Sequence, residues 1–180
     1  METFKKRIPW LLLLMISATI TSQILTNFEN KLASVATLIA FIPMLMGTGG
    51  NSGGQSSVTI VRALSLGEIS LKDIFKVIWK EVRVGIVCGL VLAAVCFVKL
   101  LLFDKYVLGN SEITVMISLV VSLTIVVEVV FSKVIGCCLP IIAKKCGFDP
   151  AVMANPFITT ITDAVSLLIY ILFASVLLGI

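Results

Sequence analysis

The 180-residue chain contains no histidine. That absence removes imidazole from every role, which excludes His-based zinc sites, His acid–base catalysis and Ser–His nucleophiles. Charge is nearly as scarce: Asp, Glu, Lys and Arg make up 13% of the residues, against 59% hydrophobic. A soluble domain of this length has too little interior to hide that much apolar surface, so a soluble fold is excluded. Five cysteines (Cys88, Cys96, Cys137, Cys138, Cys146) form no CxxC pair and are odd in number. They read as small apolar filler. The net charge of +4 is scattered between apolar runs, which argues against nucleic acid as a partner.

What is present is a series of apolar stretches. An all-α integral membrane fold is expected, with five transmembrane helices at about 8–25, 32–65, 72–103, 112–145 and 150–178, since each crossing needs roughly 20 apolar residues. Lys5, Lys6 and Arg7 ahead of the first stretch resemble a signal peptide, but no small-residue cleavage site is evident, so a retained helix is expected. The third stretch opens with an amphipathic lead-in, "LKDIFKVIWKEVR". With five spans, Lys5, Lys6, Arg7, Arg62, Lys72, Lys76, Lys80, Arg83, Lys144 and Lys145 share one side, opposite Lys31 and Lys105. The imbalance puts the N-terminus in the cytoplasm and the C-terminus outside. The whole chain, 1–180, reads as one transmembrane domain of a multi-pass cell (inner) membrane protein.

The second stretch is interrupted by "GTGGNSGGQSS", residues 47–57. Glycines and amides suit lipid poorly, and Pro43 removes a backbone donor just upstream. A broken helix in a membrane survives only where protein or water surrounds it. The reading is therefore a break that lines a cavity, with Gly50, Asn51 and Gln55 on the path. Glycine-mediated helix packing is the alternative, and the two can coexist. No Gly-Lys-Ser/Thr follows the glycines, so a phosphate cradle is disfavoured.

The fifth span carries a polar stripe. At 100° per residue from Asn155, Thr159 lies at about 40°, Thr162 at 340°, Asp163 at 80°, Ser166 at 20° and Tyr170 at 60°. The stripe is about 22 Å long. Such a line reads as the wall of an aqueous path, with hydroxyls bonding back to their own helix as the structural alternative. Asp163 is a carboxylate within a span, by default a functional group. The surrounding donors are all oxygens, which suit hard divalent cations. Pairing of Asp163 with Lys99 or Lys133 is the competing reading. Glu128, mid-way along the fourth span, lines the path, couples a proton or sodium ion, or pairs with Lys99.

"PMLMGTGGNSGGQSS" (43–57) and "NPFITTITDAVSLLIY" (155–170) together resemble the membrane domain of the MgtE magnesium channel/transporter family. The Gly-Asn-x-Gly-x-Gln element of the second span and the Thr-Thr-x-x-Asp element of the fifth carry the resemblance. It implies a homodimer whose pore is walled by the second and fifth spans of both subunits. It also implies that Asp163 holds magnesium, with Asn155 further down the pore and the acidic Asp149 at its cytoplasmic mouth. The expected metal set is Asp163, Thr159 and Asn155, with Thr162 and Ser166 among the lining. Manganese or calcium in place of magnesium stays open, because an oxygen lining alone does not choose among them. The expectation is the membrane domain alone, with no soluble N-terminal or CBS domain. Two other classes compete: an intramembrane enzyme, which would need a second aspartate facing Asp163, and a structural membrane subunit without transport, which would need no polar stripe.

Overall fold

A computed structural model of the chain describes residues 2–29, 32 and 35–180, without the side chains of 2–3, 5–7, 10, 71 and 151–156. Among the described residues the fold is all-α, with five long helices and no strand. Helix α1 is Glu2–Asn27. A 3-10 helix, Ala36–Phe41, leads into α2, Ile42–Ser65. A short 3-10 turn, Leu71–Asp73, precedes α3, Ile74–Val98, which runs on as a π-helix, Lys99–Val107. Helices α4, Val115–Lys145, and α5, Pro150–Leu178, complete the chain.

Local chemistry sets several ends. Pro43 lies in the first turn of α2, where its missing N–H leaves nothing unpaired. Gly67 (φ 72°) and Gly147 (φ 80°) follow α2 and α4 in the left-handed conformation that closes helices. The Thr114 hydroxyl accepts from Ile117 N at 3.2 Å and caps α4. Ahead of α3, Ser70 and Asp73 form a capping box. The Ser70 hydroxyl and N–H both donate to Asp73, which holds that carboxyl below its ordinary range.

Helix α4 is the centre of the bundle, packed against α2, α3 and α5. Val120, Val121, Ile125 and Val129 of α4 join Leu38, Leu45, Leu167 and Ile171 in one buried cluster. The buried Tyr170 hydroxyl donates to Leu38 O at 2.9 Å, and Thr37 donates to Glu112, so the 3-10 segment is tied to both α5 and the approach to α4. Among the described residues three stretches are long and apolar enough to cross a membrane: Ile74–Val107, Val115–Lys145 and Phe157–Leu178. Leu11–Asn27 is a shorter apolar helix.

One expectation about the second stretch is corrected. The 47–57 segment does not break: Gly47 through Ser57 lie inside α2, and the irregular backbone is the 3-10 segment before Pro43. Each glycine costs a helix roughly 1 kcal/mol relative to alanine, but unpaired backbone in an apolar setting costs several. The helix therefore persists, and the buried glycines, Gly49 and Gly53, serve contact. A Cβ on Gly136 of α4 would land on the Gly53 carbonyl oxygen, and one on Gly53 would meet Ser132 O at 2.9 Å and Ile158 Cγ2 at 2.7 Å. Gly85 and Gly89 bring α3 within a similar distance of the α4 backbone at Val130 and Val126.

The lysine pairings are also corrected. Lys99 bonds Asp104 at 2.6 Å within the π-helix, and the buried Lys133 donates to Ser56 Oγ at 3.5 Å. Neither reaches Asp163 or Glu128, because each finds an oxygen nearer its own place in the bundle.

Candidate ion-binding groove

Helix α2 presents two different faces. On one, Gly49, Ser52, Gly53 and Ser56 are buried. On the other, Gly47, Gly50, Asn51, Gly54 and Val58 line an open groove of about 460 Å³, whose far wall is Thr159 and Asp163 of α5. Helical spacing produces the division, since positions three and four apart share a side. Glycine suits both sides for different reasons: close approach on the buried one, and a side-chain-free wall on the open one. A Cβ on Gly50 would stand 3.5 Å from Thr159 Cγ2.

Asp163 is half-buried at the groove and has no hydrogen-bond or ion-pair partner among the described residues. A carboxylate in that position requires a cation, water or a second chain to satisfy it. Thr159, one turn before it on the groove wall, adds a hydroxyl, and Asn51 adds an amide oxygen from across the groove. Among the described residues no group of three or more His, Cys, Asp or Glu gathers. A single chain thus offers one carboxylate and neutral oxygens, a set that suits a largely hydrated hard cation better than a stripped one.

The remaining sequence candidates divide. Thr162 is buried and its hydroxyl donates to Thr159 O at 3.0 Å, the back-bonded arrangement. Ser166 is buried on the far side of α5, next to Gly49 and away from the groove. Gln55 faces a separate cleft between α2 and α3, which Asn51 also borders. Asp149 is exposed in the connection before α5. The Asn155 side chain lies outside the described residues.

Glu128 lies behind the groove. It is fully buried, neither carboxyl oxygen has a hydrogen-bond partner among the described residues, and Oε1 sits against the bare Cα of Gly49, near Ser166 and Ser132. It does not line the groove beside Asp163. Glu128→Gln keeps the volume and brings two N–H donors to a pocket where the Ser166 hydroxyl is unpartnered among the described residues. The variant is expected to keep most divalent conduction and to melt within a few degrees of the parent. Parallel flux and thermal-denaturation measurements in detergent check this, and lost transport in a folded variant would contradict it.

One buried polar cluster was missed from the sequence. Ser56 donates to Glu81 Oε2 at 2.5 Å, and Lys133 donates to Ser56, so an acid on α3 and a base on α4 meet through a serine on α2. Glu81 stands in the amphipathic lead-in, where a charge reads as solvated. The only signal was Lys133 itself, a base inside a span that needed an acid.

A family model described as a divalent cation transporter, MgtE, matches residues 42–173. The chain is 37% identical over 172 residues to the magnesium transporter MgtE of Thermus thermophilus, covering 96% of this chain and 36% of that protein. It is 36% identical over 165 residues to the magnesium transporter MgtE of Bacillus subtilis, covering 92% and 35%. The Enterococcus faecalis magnesium transporter MgtE is 30% identical over 175 residues, covering 97% and 37%. The chain therefore spans little more than a third of the length of these curated relatives.

Proposed function

The chain belongs to the MgtE family of divalent cation transporters, and from that premise we propose that it forms the membrane-spanning, ion-conducting part of a magnesium transporter. The observation that carries the reading is Asp163, a carboxylate without a partner among the described residues, on a groove whose opposite wall is largely glycine. In this reading residues 1–180 are one domain of five spans in the cell membrane, N-terminus inside and C-terminus outside. Two copies face each other, so the grooves close into one path with a carboxylate from each side. Magnesium keeps several of its waters and needs only one or two carboxylates. The paired Asp163 side chains hold that hydrated ion, and Thr159 and Asn51 bond its waters. Asn155, one turn before Thr159, continues the path towards Asp149 at the cytoplasmic mouth. The role is transport, not catalysis.

Purified chain in liposomes loaded with a magnesium-sensitive dye is expected to admit magnesium down its gradient, and manganese or calcium more weakly. Gly50→Leu, which fills the groove beside Thr159, is expected to reduce influx at least tenfold. Sealed liposomes, or a fully active monomer after cross-linking and mass measurement, would overturn the dimeric path.

A further inference from the structure

The outer face of α3 carries a feature that ion conduction does not use. Lys80 and Arg83 stand at one end of a cleft of about 400 Å³ whose floor is Val84, Val87 and Cys88. Val87 and Cys88 also line a second cleft of about 510 Å³, where Val91 and Leu92 continue the apolar wall opposite Asn51 and Gln55 of α2. The two clefts adjoin at Val87 and Cys88, and together they make a furrow along α3. From Lys80 to Leu92 it runs about 18 Å at 1.5 Å per residue. That length compares with about 15 Å for half of a bilayer's hydrocarbon core.

Lys80 shares a neighbouring cleft with Glu68, Asp73 and Glu81 without pairing with any of them. Among the described residues neither Lys80 nor Arg83 lies within ion-pair distance of a carboxylate. The Arg83 guanidinium is 5.9 Å from the Trp79 ring centroid, beside a side chain that is itself 62% exposed. An arginine stacked on an interfacial tryptophan marks the level of lipid headgroups. Below it the wall is open, with Val87 63% and Val91 58% exposed. The furrow is therefore cationic at one end, with an apolar α3 wall beneath it facing Asn51, Gln55 and Lys133, over the depth of one leaflet.

We propose that this furrow seats one anionic phospholipid, with its phosphate between Lys80 and Arg83 and an acyl chain along Val84, Val87 and Val91. Charge complementarity selects the headgroup, and the apolar wall selects a lipid over a free phosphate. A bound chain would also close the lateral opening between α2 and α3, on the side of α2 away from Asp163. The furrow shares Asn51 with the ion groove, but the residues that would hold the lipid lie on α3, away from Asp163, so its failure leaves the transport reading untouched.

The test is native mass spectrometry of the chain in mild detergent, titrated with phosphatidylglycerol or phosphatidylcholine. One phosphatidylglycerol retained per chain is expected, with retention at least tenfold above that of phosphatidylcholine. The double variant Lys80→Gln/Arg83→Gln is expected to remove that preference, and Val87→Trp to remove retention by filling the furrow. Both changes lie on the exposed face of α3, so the fold is expected to persist. Equal retention of the two lipids, variants that retain phosphatidylglycerol like the parent, or displacement of the lipid by inorganic phosphate would each overturn the proposal. If Val87→Trp splits a dimer and leaves lipid retention intact, the face belongs to a second copy and the proposal fails.

Discussion

Asp163→Asn is expected to reduce magnesium flux at least 100-fold while leaving the assembly intact. The asparagine keeps the shape of the side chain and removes the charge, and in a dimer it removes two charges at once. A divalent cation gains twice what a monovalent ion gains from each carboxylate, so the loss falls hardest on divalent selectivity. A 100-fold drop corresponds to about 2.7 kcal/mol at 1.36 kcal/mol per tenfold. That is modest against the interaction of a divalent ion with two nearby carboxylates, because the retained hydration shell weakens every direct contact. Folding should not suffer, since Asp163 has no partner among the described residues to lose. Liposome flux and magnesium-binding calorimetry, with size measured in detergent, check the three parts separately. Parent-like flux and binding in the variant would move the central site elsewhere on the groove.

Gly136→Ala is expected to have the largest effect on stability, although it adds only one methyl group. The new Cβ would clash with the Gly53 carbonyl oxygen of the facing helix, and a helix backbone cannot rotate aside as a side chain can. α2 and α4 must separate, which loosens the bundle at its centre. Overpacking of a tight core costs typically 1–3 kcal/mol, and more where backbone is the obstacle. A fall in melting temperature large enough to lower the yield of folded protein is the expected result. Gly47→Ala is the internal control: nothing lies within 4 Å of its added Cβ, and alanine favours the helix by roughly 1 kcal/mol. Equal melting temperatures for the two variants in the same detergent would refute the close α2–α4 contact.

The periodic features of the chain were legible from the start. Scarce charge and long apolar runs require an environment other than water, and the positions of those runs place the five long helices. Residues that share a helical face could be grouped by spacing alone, which brought Thr159 and Asp163 to one side of α5. The Gly-Asn-x-Gly-x-Gln and Thr-Thr-x-x-Asp elements were specific enough to indicate the family to which the chain belongs.

Spacing names the residues on a face but not what covers it, and that was decided only by the tertiary contacts. The polar stripe of α5 looked continuous, yet Thr162 and Ser166 turn into the bundle while Asp163 stays on the groove. The glycines of α2 looked like a break, because propensity is a local cost and the contact that outweighs it lies on α4. Lys133 found Ser56 across 77 residues of sequence, and Tyr170 found Leu38 across 132. No local pattern encodes which distant oxygen will be nearest. Composition and periodicity therefore determined the membrane-type helices, their family and the acid to examine. Only the packing of α2 against α4 and α5 decided which glycines are contacts, which hydroxyls are core, and that Asp163 remains without a partner among the described residues.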